Sequence, residues 1–130
     1  MELIEVVAGI VKKNNKICLT QRRKNSHLPL YWEFPGGKVE RFETIEAALS
    51  RELEEEVNIK PLTYEVYHKL KYDYPERSVC LSFYLIDQYL GEIKANENQA
   101  LEWVEVSQLT SIKLPEANRE VVEKLVAEFA

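Results

Sequence analysis

Three glutamates near the middle of the chain have the spacing needed to bind a divalent cation. Glu52, Glu55 and Glu56 lie three and four residues apart, so an α-helix would place them on one face, within about 100° of arc. Like charges at this spacing repel one another. A hard cation such as Mg²⁺ or Mn²⁺, which prefers oxygen ligands, would offset that repulsion. On charge pattern alone, a solvated acidic helix partly relieved by Arg51 is the favoured interpretation.

The segment that carries these glutamates is predicted to be a helix from Thr44 to Val57. Thr44 is a good N-terminal cap, and apolar residues recur at every fourth position, at Ile45, Leu49, Leu53 and Val57. Asn58 tolerates the left-handed conformation that ends such a helix. The acidic face adjoins the apolar stripe, and Glu54 points away from it. The three carboxylates are therefore expected at the edge of the core.

The other predicted elements alternate between strands and a second helix. The strands are predicted at Leu3–Lys12, Lys16–Arg22, Tyr64–Tyr74, Ser78–Leu90 and Leu101–Val106, and the second helix at Glu116–Phe129. Asn14-Asn15 is typical of a tight hairpin. The segment Asn25 to Gly37, with two prolines and two glycines, is interpreted as a structured loop. This order predicts the α+β class, with a mixed sheet packed between helices.

Composition narrows the possible partners and compartment. The 130 residues carry a formal net charge of -5, which argues against tight binding to duplex nucleic acid. No apolar run has the length of a membrane span, and the N-terminus lacks the features of a signal peptide, so a cytoplasmic location is expected. Cys18 and Cys80 are interpreted as a reduced, buried pair, and His27 and His68 as surface or loop residues. Nothing indicates an obligate protein partner.

The segment from Gly37 to Ile59 resembles the Nudix box. The matching positions are Gly37, Glu43, Arg51-Glu52-Leu53 and Glu54-Glu55-Glu56-Val57-Asn58-Ile59. The one departure at a fixed position is Asn58, where the family has glycine. The resemblance implies one Nudix domain over residues 1–130, built as an α/β/α sandwich. It also implies a magnesium site, with manganese as a substitute, formed by the Gly36 carbonyl and the carboxylates of Glu52, Glu55 and Glu56.

The same resemblance assigns supporting and catalytic roles. Arg51 is expected to orient carboxylates through bidentate hydrogen bonds, and Glu43 is expected to hold the residues that surround the metal ligands. Metal ions would neutralise a polyphosphate and lower the pKa of a bound water that attacks phosphorus. One glutamate must accept the proton of that water. Glu52 is the first choice and Glu97 the second, and the sequence leaves the choice open.

Segments outside the box resemble the MutT branch of the family. They are Ile17–Arg23, Trp32–Glu40, Tyr74–Arg77 and Leu114–Asn118. Position by position, Glu97 resembles a metal-binding or base carboxylate from a loop outside the box, Asn118 a residue that reads the base, and Arg22 and Arg77 substrate contacts. Without the resemblance, Glu97 equally fits a surface glutamate, Asn118 a helix cap, and the two arginines solvated charges. Phe34 fits both a base-flanking aromatic and a core residue.

The resemblance implies a pyrophosphohydrolase that converts a nucleoside triphosphate to the monophosphate and pyrophosphate, with 8-oxo-dGTP as the first expected substrate. Alternative substrates are CTP, modified dCTP, ADP-ribose, dinucleoside polyphosphates and capped RNA. An alternative of another class is a nucleotide-sensing module without turnover. Two more departures are Phe42, at a common glycine position, and Glu76, in place of a shorter acid, and neither removes a proposed metal ligand.

Overall fold

The computed structural model describes residues 2–24 and 28–130 of the chain. The interpretations of residues 25–27, including the surface position expected for His27, lie outside the described residues. The strands are β1 Glu2–Lys13, β2 Lys16–Gln21, β3 Trp32–Glu33, β4 Gly36–Lys38, β5 Lys60–Asp73, β6 Arg77–Leu90 and β7 Leu101–Glu105. The α-helices are α1 Ile45–Val57 and α2 Arg119–Phe129, and 3-10 turns span Val106–Ser111 and Glu116–Asn118.

The sheet is mixed and is organised around β1. This strand runs parallel to β6 over ten residue pairs and antiparallel to the short β4 on its other edge. β6 in turn pairs antiparallel with β5, which carries three register irregularities. The far end of β1 turns through Asn14 and Asn15, both with positive φ, into β2. β2 then pairs antiparallel with both β3 and β7.

The helices cover opposite faces of the sheet. Because side chains alternate along a strand, β1 contributes Val7 and Val11 to one core cluster and Ala8 and Ile10 to the other. The first cluster also contains the apolar face of α1, and the second contains that of α2. This arrangement confirms the predicted α+β class, a mixed sheet between helices. Within the described ranges, no helix combines the length and the apolar character that a membrane crossing requires.

Three predictions about local structure need correction. The segment ending at Gly37 is not wholly a loop, since β3 and part of β4 lie in it. The backbone of Gly36 approaches β1 so closely that an added Cβ would lie 2.1 Å from the Val7 carbonyl oxygen, so the glycine permits the pairing. Helix α2 begins at Arg119 because the preceding residues form a 3-10 turn. Both cysteines are free thiols, but Cys80 is only partly buried.

The turn before α1 contains a strained residue. The Glu43 N–H donates to the Glu40 carbonyl at 3.1 Å and closes this turn. Within it, Phe42 adopts φ 65°, and its side chain is 98% exposed. A phenylalanine in the left-handed region is strained, and here burial does not compensate for the strain. The turn therefore keeps the conformation that glycine favours although a phenylalanine occupies it.

We expect Phe42→Gly to raise the free energy of unfolding by about 0.5–1 kcal/mol, because glycine adopts this conformation without strain. Urea denaturation at neutral pH measures the change. Phe42→Ala is the matched control, since it removes the ring and keeps the strained Cβ. Equal stability of the glycine and alanine variants would contradict the explanation by backbone strain.

Candidate active site

Helix α1 is fixed at both ends by hydrogen bonds. The Thr44 hydroxyl oxygen accepts from the Ala47 N–H at 3.1 Å, which is the predicted cap. Asn58 ends the helix with φ 65° and ψ 31°. Its side-chain amide also donates to the Glu92 carbonyl at 3.0 Å, a contact that glycine at this position would lack. The departure from the box therefore preserves the helix end and adds a tether to the loop before β7.

The Glu56 carboxylate is buried where α1 meets the sheet. The residue is 7% exposed, and its two oxygens accept from the Thr20 hydroxyl at 3.0 Å and from the Gly36 N–H at 3.2 Å. Burial, together with the nearby carboxylates of Glu33 and Glu97, raises the pKa of Glu56 to about 7. A divalent cation beside this group would favour its charged form.

Arg51 holds two box glutamates with one guanidinium group. Its Nε and Nη2 atoms donate to the two oxygens of Glu43 at 2.7 and 3.0 Å, and Nη1 donates to Glu52 at 2.8 Å. Nη2 also donates to the Lys38 carbonyl at 3.1 Å, which ties α1 to β4. The hydrogen bonds from Arg51 lower the pKa of Glu43 to about 2. Burial raises the pKa of Glu52, while Arg51 opposes that shift.

The loop before β7 is attached to the C-terminal end of α1. The Lys94 N–H donates to the Val57 carbonyl at 3.2 Å, and the Asn96 N–H donates to the Glu56 carbonyl at 3.0 Å. The Asn96 side chain donates to the Glu54 carbonyl at 3.1 Å. The two backbone bonds satisfy carbonyls that have no partner within the helix, whereas the Glu54 carbonyl also accepts from the Asn58 N–H. They also bring the exposed Glu97 to the cleft that α1 borders.

We call this cleft the acidic cleft. It has a volume of about 220 Å³ and is lined by Gln21, Arg22, Arg23, Glu33, Gly36, Glu52, Glu56, Glu97 and Gln99. Four of the five residues predicted to bind metal are in this lining. The fifth, Glu55, is not; its side chain is 55% exposed and lies 3.5 Å from Arg51 Nη1. Glu54, expected to point away from the cluster, is exposed and does not line the cleft.

The lining suits a hard divalent cation in its donor types. Carboxylates and a backbone carbonyl are oxygen ligands of the kind that Mg²⁺ and Mn²⁺ prefer. The acids also disfavour one another's charged forms: Glu55 and Glu97 raise the pKa of Glu52, and Glu33 and Glu97 that of Glu56. As placed within residues 2–24 and 28–130, no three acidic, histidine or cysteine side chains are close enough to share one ion. Binding would thus require the carboxylates to turn toward one another.

A second cleft, which we call the apolar pocket, adjoins the first. It has a volume of about 360 Å³, and its apolar wall includes Val79, Leu81, Phe83 and Ala117. All four predicted substrate-binding residues line it, namely Arg22, Phe34, Arg77 and Asn118. Arg22, Glu33 and Gly36 line both clefts. One ligand can therefore place a flat apolar group in the pocket and a polyanionic chain in the acidic cleft.

Two of these positions resolve alternatives that the sequence left open. Asn118 occupies the N-cap position of α2, but it is buried and its side chain makes no capping hydrogen bond to the helix, so its amide is not engaged by α2. Phe34 is 4% exposed and packs edge-on against Phe83 with ring centroids 5.7 Å apart. It is a core residue that also forms part of the pocket wall.

Sequence reasoning missed Glu33 and Tyr74. Glu33 pairs with Arg22 at 2.9 Å at the junction of the two clefts, and Tyr74 lines the apolar pocket. Both residues lie in segments that resemble the MutT branch, and this resemblance could have identified them as candidate site residues. Glu33 was overlooked because its segment was interpreted as loop, whereas β3 pairs Glu33 with Thr20 and turns its side chain to the clefts.

The chain is similar to known proteins over nearly its whole length. The family model described as NUDIX domain matches residues 3–125. The chain belongs to the NUDIX family. An "8-oxo-dGTP diphosphatase" of Escherichia coli K12 is 39% identical over 126 residues, covering 96% of this chain and 98% of that protein. A "CTP pyrophosphohydrolase" of the same organism is 35% identical over 127 residues, covering 98% and 94%.

A solved structure shares the fold over its whole length. It comes from work on MutT of Aliivibrio salmonicida and Vibrio cholerae, and superposes with a TM-score of 0.85 at 35% identity. The match covers 98% of this chain and 100% of that one. The expected Nudix fold, MutT resemblance and class of Nudix hydrolase are thereby confirmed.

The Glu43–Arg51 pair predicts a pH-dependent contribution to stability. Because the pKa of Glu43 is about 2 in the folded protein and its ordinary value is 4.5, the stabilisation is complete above the ordinary value and is lost as pH falls toward 2. Urea denaturation of the wild type and of Glu43→Gln should therefore show a stability difference that shrinks between pH 6 and pH 3.

Glu40→Gln is the control for this experiment. Glu40 lies 3.5 Å from the same arginine but is 67% exposed, so solvent screens the pair and little effect is expected. A Glu43→Gln difference that stays constant or grows on acidification would contradict the assigned role of the pair.

Proposed function

We propose that this Nudix hydrolase cleaves a nucleoside triphosphate to the nucleoside monophosphate and pyrophosphate, with 8-oxo-dGTP as its principal substrate. The junction of the two clefts at Arg22 and Glu33 carries the proposal, because it matches a nucleotide with its base in one cleft and its phosphates in the other. Full-length similarity to curated 8-oxo-dGTP diphosphatases supports the choice of substrate. Such an enzyme would remove a mutagenic nucleotide from the pool, and we infer a cytoplasmic location because that pool lies there.

The residues proposed to hold Mg²⁺, or Mn²⁺ in its place, are Glu52, Glu56, Glu97 and the Gly36 carbonyl. Glu55 would join them by turning its exposed side chain toward the acidic cleft. The bound cation supplies charge neutralisation and lowers the pKa of a coordinated water. Arg51 and Glu43 restrict the motion of Glu52 through the hydrogen bonds described above. Their part is thus to position ligands and not to touch the substrate.

The proposed reaction is an attack by water on phosphorus. A bond forms between the water oxygen and the β-phosphorus, and the bond from that phosphorus to the α–β bridging oxygen breaks. The nucleoside monophosphate leaves with the bridging oxygen. Glu52 or Glu97 accepts the proton of the water. Glu52 has one oxygen engaged by Arg51, which leaves its second oxygen for this role.

Asn118 is proposed to read the base. Oxidation at C8 converts N7 of guanine from a hydrogen-bond acceptor into a donor. An asparagine amide can accept from that N7–H and donate to O6. The structure supports this role because the Asn118 amide lies buried in the pocket wall and is not consumed by capping α2.

CTP is the second candidate substrate, favoured by the 35% identical CTP pyrophosphohydrolase. A panel of 8-oxo-dGTP, dGTP, CTP, dCTP and ADP-ribose, with separate detection of pyrophosphate and phosphate, distinguishes the candidates. Tight nucleotide binding in Mg²⁺ without turnover would instead favour a sensing module. The box argues against that alternative, because its glutamates are all present.

We expect Glu52→Gln and Glu56→Gln each to reduce kcat at least about 100-fold, since each removes a charged ligand or base at the reacting centre. Pyrophosphate release from 8-oxo-dGTP in Mg²⁺ measures the loss. Glu54→Gln is the matched control on the same helix and should stay within about twofold, because an exposed carboxylate away from the cleft contributes little. Equal losses in all three variants would refute the assignment of the helix face.

We expect Asn118→Ala to reduce the preference for 8-oxo-dGTP over dGTP, measured as the ratio of kcat/KM values, by at least about tenfold. The two substrates differ only in the group that the amide recognises, so turnover of dGTP should change less. Glu116→Ala, in the same 3-10 turn but exposed and outside the pocket, is the control. An unchanged preference in Asn118→Ala would exclude the proposed base recognition.

A further inference from the structure

One polar atom in the acidic cleft is buried without a hydrogen-bond partner. It is Oε1 of Gln99, and it is the only buried side-chain nitrogen or oxygen in this state within residues 2–24 and 28–130. Gln99 belongs to the cleft lining together with Glu52, Glu56 and Glu97. A buried carbonyl without a donor is unfavourable. Such an atom at a ligand site indicates that the ligand supplies the missing donor.

The backbone on both sides of Gln99 is held in place. After it, the Ala100 carbonyl accepts from the Gln21 N–H at 3.0 Å, and β7 begins at the next residue. Before it, the Glu97 carbonyl accepts from Arg23 at 3.3 Å, and Asn96 is bonded to the end of α1. The Gln99 side chain therefore extends from a backbone that is anchored at Ala100 on one side and at Asn96 and Glu97 on the other.

The chemistry of the lining selects the kind of donor. Glu33, Glu52, Glu56 and Glu97 are acceptors when ionised, so the Gln99 carbonyl adds an acceptor to a cleft already rich in them. Arg22 and Arg23 also line the cleft, and Arg22 already pairs with Glu33. A cation with its bound water molecules would supply further donors to such a set and compensate its negative charge. A neutral amide also provides an oxygen without adding further negative charge to a crowded group of carboxylates.

We propose that Gln99 is a further binding residue of the acidic cleft, whose amide carbonyl accepts a hydrogen bond from water coordinated to the divalent cation. The proposal rests on the proposed function, since it requires a cation in this cleft. The proposal assigns Gln99 a positioning role. Gln99 holds the hydrated cation in position relative to Glu56 and Glu97, and it takes no proton from the attacking water.

Direct titration of Mn²⁺ into the protein without nucleotide tests the proposal. Gln99→Met keeps the approximate size of the side chain and removes the carbonyl, so it should weaken Mn²⁺ binding about tenfold, as loss of a partner outside the ligand shell typically does. Gln99→Glu retains an acceptor oxygen and should bind Mn²⁺ at least as tightly as the wild type. Unchanged Mn²⁺ affinity in Gln99→Met would overturn the proposal.

Two further measurements separate this role from a structural one. The metal-free Gln99→Met protein should unfold at a denaturant concentration equal to or above that of the wild type, because the substitution removes an unsatisfied carbonyl. At saturating Mn²⁺ its kcat should recover, while the Mn²⁺ concentration for half-maximal activity rises. A lower metal-free stability together with a permanently lowered kcat would identify a structural role and overturn the proposal.

The control variant is Asn98→Gly. Asn98 is exposed, lies outside the cleft lining and adopts φ 61°, which glycine accommodates. It should leave Mn²⁺ affinity unchanged. If the wild type itself bound no Mn²⁺, the metal site of the proposed function would fail. If the wild type bound Mn²⁺ and hydrolysed nucleotide while Gln99→Met matched it, only the role of Gln99 would fail.

Discussion

The buried carboxylate of Glu56 joins the three elements on which the site depends. It lies on α1 and accepts hydrogen bonds from Thr20 on β2 and from the backbone of Gly36 on β4. A buried charge needs such partners, because desolvation without them is strongly unfavourable. Helix α1 and strands β2 and β4 are therefore held in one arrangement by the group that is also proposed to bind the cation.

The negative charge of the carboxylates around Glu56 would be fully compensated only when a ligand is bound. Arg51 compensates Glu43 and Glu52 from one side, and Arg22 compensates Glu33 from the other. Glu56 accepts from the Thr20 hydroxyl and from the Gly36 N–H, neither of which carries a charge. A divalent cation bound in the acidic cleft would reverse the local sign of the charge, so that a protein of net charge -5 could attract a triphosphate there.

The departures from the family pattern show that backbone conformation is retained more closely than residue identity. Asn58 and Phe42 both adopt φ 65° at positions where the family commonly has glycine. Asn58 compensates with a side-chain hydrogen bond to Glu92, whereas Phe42 is fully exposed. Near Glu76, the turn is closed by reciprocal backbone bonds between Tyr74 and Arg77, at 2.8 and 3.3 Å. A change of acid inside that turn leaves its hydrogen bonding intact.

Local sequence was sufficient for the features that depend on neighbours along the chain. The Thr44 cap, the four-residue apolar repeat of α1 and the left-handed Asn58 depend on residues within a few positions, so their types specify them. The same holds for the hairpin at Asn14-Asn15. The order of strands and helices was enough to predict the α+β class.

Tertiary structure alone decided which side chains share a cleft. Strands β3 and β4 are too short to show a periodic pattern, and their pairing with β2 and β1 depends on residues far away in the chain. The positions of Glu33, Glu97 and Gln99 follow from that pairing and from the attachment of a distant loop to α1. Glu55 lies on the same helix face, yet its side chain is 55% exposed and does not line the cleft. Helical spacing determines the face on which a carboxylate lies, but only packing determines whether that face is covered, lines a cleft or meets solvent.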